Sequence, residues 1–169
     1  MINMKTSIVN LNDALAAYLQ KMRCVEKSFK MDYHDSLKEL SSVEIKNEMK
    51  KYIVSCDENA LRIERMHNYL MVEPVTGNSE VYKKLILETN EIIHATKEPH
   101  LISILFIGCL EAIIGYKISC YRTAYMIAVE LELDTVTDLL EACLEKEVSA
   151  RKAFSLLVIS EFNGIGPFI

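Results

Sequence analysis

The sequence predicts an all-α protein, a four-helix bundle of two antiparallel helix hairpins joined by a long crossover that contains a short helix. Three observations predict it. The run Leu101–Ile118 (LISILFIGCLEAIIGYKI) is apolar on every side of a helix and continues through Tyr121, Tyr125 and Ile127 without a breaker, far past strand length. Only five Gly and three Pro occur in 169 residues, and strand-type alternation is almost absent. The clearest loop, Val72–Asn78 (VEPVTGN), is followed by a polar segment too long to be a turn.

The first helix runs from about Leu11 towards Leu40, with Leu15, Leu19, Met22, Phe29 and Tyr33 as its bundle-facing stripe and Glu26 inside that stripe. Ser41 with Glu44 reads as a capping box opening a second helix, which carries Ile45, Met49, Tyr52, Cys56, Ala60, Ile63 and Leu70 on one face. Pro74 and Gly77 break the chain, and Ser79–Lys97 reads as the shorter helix of the crossover. Pro99 sits in the first turn of the third helix, where its missing N–H costs nothing, and the apolar run carries that helix to about Leu131. Thr135 with Asp138 caps the last helix, whose stripe is Val136, Leu140, Cys143, Glu147, Ala150, Phe154 and Leu157. The tail Asn163–Ile169 (NGIGPFI) reads as extended. Two hairpins joined by a crossover that runs from one end of the bundle to the other are the ferritin-like variant of the four-helix bundle. Residues 1–169 read as one domain, with 1–10 as an N-terminal extension and 164–169 as a C-terminal tail.

Composition excludes several function classes. A net charge of -5 argues against a nucleic-acid surface. Glu111 and Lys117 interrupt the apolar run and no positive cluster flanks it, which argues against a membrane span. Met1–Asn10 has no apolar h-region or cleavage site, so the expected location is the cytoplasm. Five widely spaced Cys (Cys24, Cys56, Cys109, Cys120, Cys143) without a C-x-x-C pair read as reduced core thiols. An apolar fraction of 50% together with an apolar tail predicts a homodimer.

The sharpest chemical signal is a Glu in the middle of an apolar stripe, which is costly to bury unless paired, protonated or bound to metal, and Glu26 and Glu147 are two of these. Ferritin-like di-metal sites take a Glu from each of two helices and a Glu-x-x-His from each of the other two. Folding each hairpin at its turn sets Glu26 opposite Cys56, and Glu147 opposite Lys117. Tyr52 lies near the first pair, and Ile114 and Glu111 near the second, but no His. The literal matches Glu64–His67 and Glu91–His94 fall off that level and read as solvated pairs. Tyr52, Cys56, Tyr116 and Tyr121 form the expected buried polar cluster around the acids, the tyrosines as core aromatics lending an OH. With no Arg or His on the stripes, at least one of the two acids is expected to hold a proton near neutral pH, unless Lys117 or Lys146 pairs it. Hydrolase and kinase motifs are absent.

These residues resemble the YciE/YciF-type ferritin-like family, the DUF892 group, over about Leu11–Asn163. The family's first-helix acidic motif is similar to Arg23–Lys27 (RCVEK) and places its Glu on Glu26. Its second-helix opening is similar to Ser42–Tyr52 (SVEIKNEMKKY), so the family His falls on Tyr52. Its third-helix E-H-y-E is similar to Ile114–Lys117 (IGYK), and its last-helix L-x-E-E-x-x-A to Leu144–Ala150 (LEKEVSA), which keeps Glu147 and has Lys146 at the first acid. The resemblance implies the bundle fold and leaves only Glu26 and Glu147 of the family's ligand-type positions. The function it implies is a non-catalytic, stress-associated or interaction protein without a cofactor. The alternative is an iron or manganese oxidoreductase or metal-binding protein using Glu26, Glu111 and Glu147. No protein partner can be named from the residues.

Overall fold

The computed structural model describes residues 7–74 and 79–164. Within them the chain forms six helices: α1 (Leu11–Asp32), α2 (Ser36–Glu39), α3 (Val43–Leu70), α4 (Glu80–Ala95), α5 (Pro99–Glu130) and α6 (Asp134–Gly164). The architecture is the all-α bundle of two antiparallel hairpins, α1 with α3 and α5 with α6. The α4 crossover packs along α5, while α1 packs on α5 and α3 on α6 to close the bundle. One apolar core runs through it, from Leu15, Met22 and Phe29 to Met49, Phe106, Ile113, Leu140 and Phe154.

Why α5 lies at the centre follows from its sequence: a helix that is apolar all round needs neighbours on more than one side. By length and composition it is long enough to cross a membrane. In the bundle α1, α4 and α6 cover it, burying Ile102, Phe106, Leu110, Ile113, Ile114 and Tyr121 among others. Pro99 stands in its first turn as expected.

Several boundaries differ from those expected. The first helix does not reach Leu40: it stops at Asp32, and the chain turns before the single turn of α2. There the buried Ser36 hydroxyl donates to Asn90 of α4 (3.2 Å), and the turn brings Leu40 into the core. The cap of α3 is Ser42 rather than Ser41; its Oγ accepts from the Ile45 N–H (3.4 Å). At the far end α3 closes on Met71 in the left-handed region (φ 52°), with the Val72 N–H donating to the His67 carbonyl (3.1 Å). Ser79 caps α4 by accepting from the Tyr82 N–H. The last helix begins at Asp134, one residue before the expected cap at Thr135, and takes in Asn163 and Gly164. The rest of the expected extended tail, 165–169, lies outside the described residues, as do 75–78 of the loop and 1–6 of the N-terminal extension.

Candidate functional site

The stripes place one layer of polar side chains in the middle of the apolar core, supplied by all four long helices. Glu26 comes from α1, and Tyr52, Cys56 and Asn59 come from α3 at a spacing of four and three residues. Lys117 and Tyr121, four apart on one face of α5, complete it with Glu147 of α6. Glu26, Asn59, Lys117 and Glu147 are each 0% exposed.

Lys117 is the hub. Its Nζ lies 2.8 Å from Glu26 Oε2 and 2.8 Å from Glu147 Oε1, and it donates to Tyr52 Oη (2.9 Å) and Cys56 Sγ (3.4 Å). The carboxylates have their own donors: Tyr121 Oη to Glu26 Oε1 (2.5 Å), Tyr52 Oη to Glu147 Oε2 (2.5 Å) and Asn59 Nδ2 to Glu147 Oε1 (3.1 Å). Glu26 Oε2 lies close to the ammonium but off its hydrogen-bonding direction. Arg62 donates to Asn59 Oδ1 (3.0 Å) and pairs with Glu58 (3.6 Å), which links the buried layer to the surface. Phe29, Tyr52 and Phe154 pack edge to face, with Phe29 and Phe154 both against the Tyr52 ring.

Two carboxylates and one ammonium leave this layer one negative charge in excess, and a dry core resists that excess. Burial, opposed by Lys117 and reinforced by Glu26, pushes the Glu147 carboxyl up to about 7. Burial alone would drive Lys117 towards the neutral amine, but the Glu147 and Glu26 carboxylates outweigh it and hold the lysine well above its ordinary value. Burial raises the Cys56 thiol and the Tyr52 and Tyr121 phenols as well, so these three stay protonated. The layer therefore holds an ammonium and one or two carboxylates, with a proton taken up on Glu147 as pH falls.

This donor set does not fit a di-metal centre. An ammonium stands between the two carboxylates that would bridge the ions, the phenols donate rather than coordinate, and the thiol is held neutral. Among the described residues no three His, Cys, Asp or Glu side chains converge as a metal-holding group.

The structure brings together Glu26, Glu147, Tyr52, Cys56 and Tyr121 and leaves out two residues expected with them. Glu111 lies on another face of α5, half-buried, and accepts the Ser155 hydroxyl. Tyr116 is next to Lys117 in sequence, hence about 100° away around the helix, and its hydroxyl bonds Ser79 Oγ (2.7 Å). With no Arg or His on the stripes, Lys117 and Lys146 are the cations named as candidate partners of the acids; Lys117, which the fold-back level sets opposite Glu147, pairs both, and Lys146 pairs with Glu58 instead (3.8 Å). Asn59 was missed altogether, although it lies three residues past Cys56 on the same face. Of the two pairs expected in solvent, Glu91 and His94 are exposed. Glu64 pairs with Lys27 (2.5 Å), while His67 is buried, with Nδ1 2.9 Å from the Ile63 carbonyl oxygen. None of the five cysteines is in a disulfide.

Two antiparallel hairpins joined by a long crossover define the ferritin-like variant of the four-helix bundle fold, here with a polar layer buried among its four long helices. Residues 10–163 match the sequence profile of a domain of unknown function, DUF892, and the chain belongs to that family. It is similar in structure to the Escherichia coli stress protein YciF, with a TM-score of 0.88 at 18% identity over 92% of this chain and 99% of that one. It is also similar to YcfI of Rhodopseudomonas palustris, described as a candidate structural protein. There the TM-score is 0.85 at 17% identity, over 92% of this chain and 98% of the other. No curated protein matches the chain.

Proposed function

We propose that this chain is a non-catalytic ferritin-like bundle in which the Lys117 ammonium takes the place of a metal cation, leaving a structural or interaction role. The observation that carries the reading is the position of Lys117 Nζ, 2.8 Å from both Glu26 and Glu147. An ammonium there supplies the positive charge that two buried acids need, and it offers no open coordination position at which a substrate could react. The phenols and the thiol around it have raised pKa values, which removes them as nucleophiles, and Glu147, the acid poised near neutral pH, is fully buried and held by Lys117, Tyr52 and Asn59. The structural description of YcfI and the stress description of YciF are in keeping with such a role.

Metal analysis tests it. Protein purified without chelator and then reloaded with Fe(II) or Mn(II) is expected to carry well under one ion per chain. A stoichiometric, tightly held ion that is lost on Glu26→Ala would overturn the reading.

A further inference from the structure

On another side of the bundle, α4, α5 and the C-terminal half of α6 enclose a groove of about 470 Å³ that the buried layer does not use. Its walls are apolar: Leu85 and Ile92 from α4, Leu105 and Ala112 from α5, Val158 and Phe162 from α6. Leu105 and Phe162 are 40% and 45% exposed, well short of core burial. Gly108 lies on the α5 side, and a Cβ built there would meet nothing within 4 Å, so the groove reaches the α5 backbone as open space. Two carboxylates belong to the lining, Glu88 of α4 and Glu111 of α5. Among the described residues no cation pairs with either. Volume and lining match small-molecule sites, which are mostly apolar with a few placed polar groups.

We propose that this groove binds an amphipathic cation, a straight apolar chain with an ammonium head. The chain lies along α5 between Ile104 and Ala112, a rise of about 12 Å for eight residues, and suits roughly eight carbons. The head meets Glu111 and Glu88, whose charges select a cation over an anion of the same length. Glu111, whose carboxylate the Ser155 hydroxyl orients, is the more buried of the two and carries most of that selection.

Calorimetric titration of the full chain at pH 7.5 with octylamine, octanoate and octanol tests the proposal. Octylammonium is expected to bind at one site per chain, with octanoate not binding and octanol weaker. Glu111→Gln should weaken octylammonium about tenfold. Gly108→Leu fills the open space, improves helix propensity, and should abolish binding with an unchanged circular dichroism spectrum. Equal binding of all three probes would overturn the proposal, as would full binding to Gly108→Leu. Binding that emerges only after removal of residues 165–169 would assign the groove to the chain's own end. Binding that fades as protein concentration rises would assign it to a second copy; either result also overturns the proposal.

Discussion

The ammonium of Lys117 lies 2.8 Å from Glu147 Oε1, reaching from α5 to α6 in a layer where both side chains are fully buried. A second contact of equal length to Glu26 makes the three charges interdependent. Removing one member of such a set strands the others, a loss of about 3–5 kcal/mol, whereas neutralising the whole set is near neutral or stabilising. Lys117→Met should therefore cost about 3–5 kcal/mol in urea unfolding at pH 7.5. The triple variant Glu26→Gln, Lys117→Met, Glu147→Gln should recover most of it. A triple variant as unstable as the single one would show that Lys117 contributes packing and not charge.

Glu147 makes stability depend on pH. Its folded pKa of about 7 lies above the unfolded value near ~4.3, so between those values the folded state binds more protons than the unfolded chain. Stability from this group is then highest below ~4.3 and falls as pH climbs towards 7, after which the loss is complete at roughly 3–4 kcal/mol. Glu147→Gln mimics the protonated acid, so its melting temperature relative to wild type should be higher at pH 8 than at pH 5.5. A difference between the two proteins that is the same at both values would mean that Glu147 stays ionised throughout.

The two tyrosines of the layer should not be equivalent. Tyr52 donates to Glu147 and accepts from Lys117, whereas Tyr121 makes one bond, to Glu26. Tyr52→Phe strands a carboxylate oxygen and an ammonium proton together, and should cost about 2–4 kcal/mol, against about 1–3 for Tyr121→Phe. Urea midpoints rank the pair; a larger loss at Tyr121 would contradict the hydrogen-bond assignment.

Much of this layer was legible in the residues, and what was not has a geometric cause. Glu26, Tyr52, Cys56 and Glu147 interrupt clear stripes on amphipathic helices, so their inward direction follows from the spacing alone. Lys117 sits in a helix that is apolar all round, where no stripe exists to say which way a charged residue points. It read as a charge that argues against a membrane span, and only the fold-back level set it opposite Glu147. Tyr116 and Glu111 were assigned to the layer by height on α5; height without direction around the axis cannot separate Tyr116 from Tyr121. The end of α1 was hidden because His34, Asp35 and Ser36 carry no Gly or Pro, and a tertiary bond from Ser36 to Asn90 helps hold the turn.

The helix ends offer an independent check. Ser42→Ala removes the acceptor of the Ile45 N–H and should cost about 1 kcal/mol, while Ser41→Ala should be neutral. Met71 holds a left-handed conformation that suits glycine better, and it is 91% exposed, so little packing is lost on replacement. Met71→Gly should be stabilising by about 1 kcal/mol in thermal unfolding. A destabilised glycine variant would mean that α3 ends elsewhere.

A charged Lys117 in the centre of the bundle is observed directly by nitrogen-15 NMR of the lysine ammonium groups. Surface ammonium protons exchange with water too fast to be seen near neutral pH, whereas a fully buried ammonium held by two carboxylates, a phenol and a thiol exchanges slowly. One protected ammonium signal is predicted at pH 7, persisting above the ordinary lysine pKa of about 10.4 because the folded value is held well above it, and missing from Lys117→Met. A spectrum with no protected ammonium, or a Lys117 nitrogen with the shift of a neutral amine at pH 7, would contradict the claim.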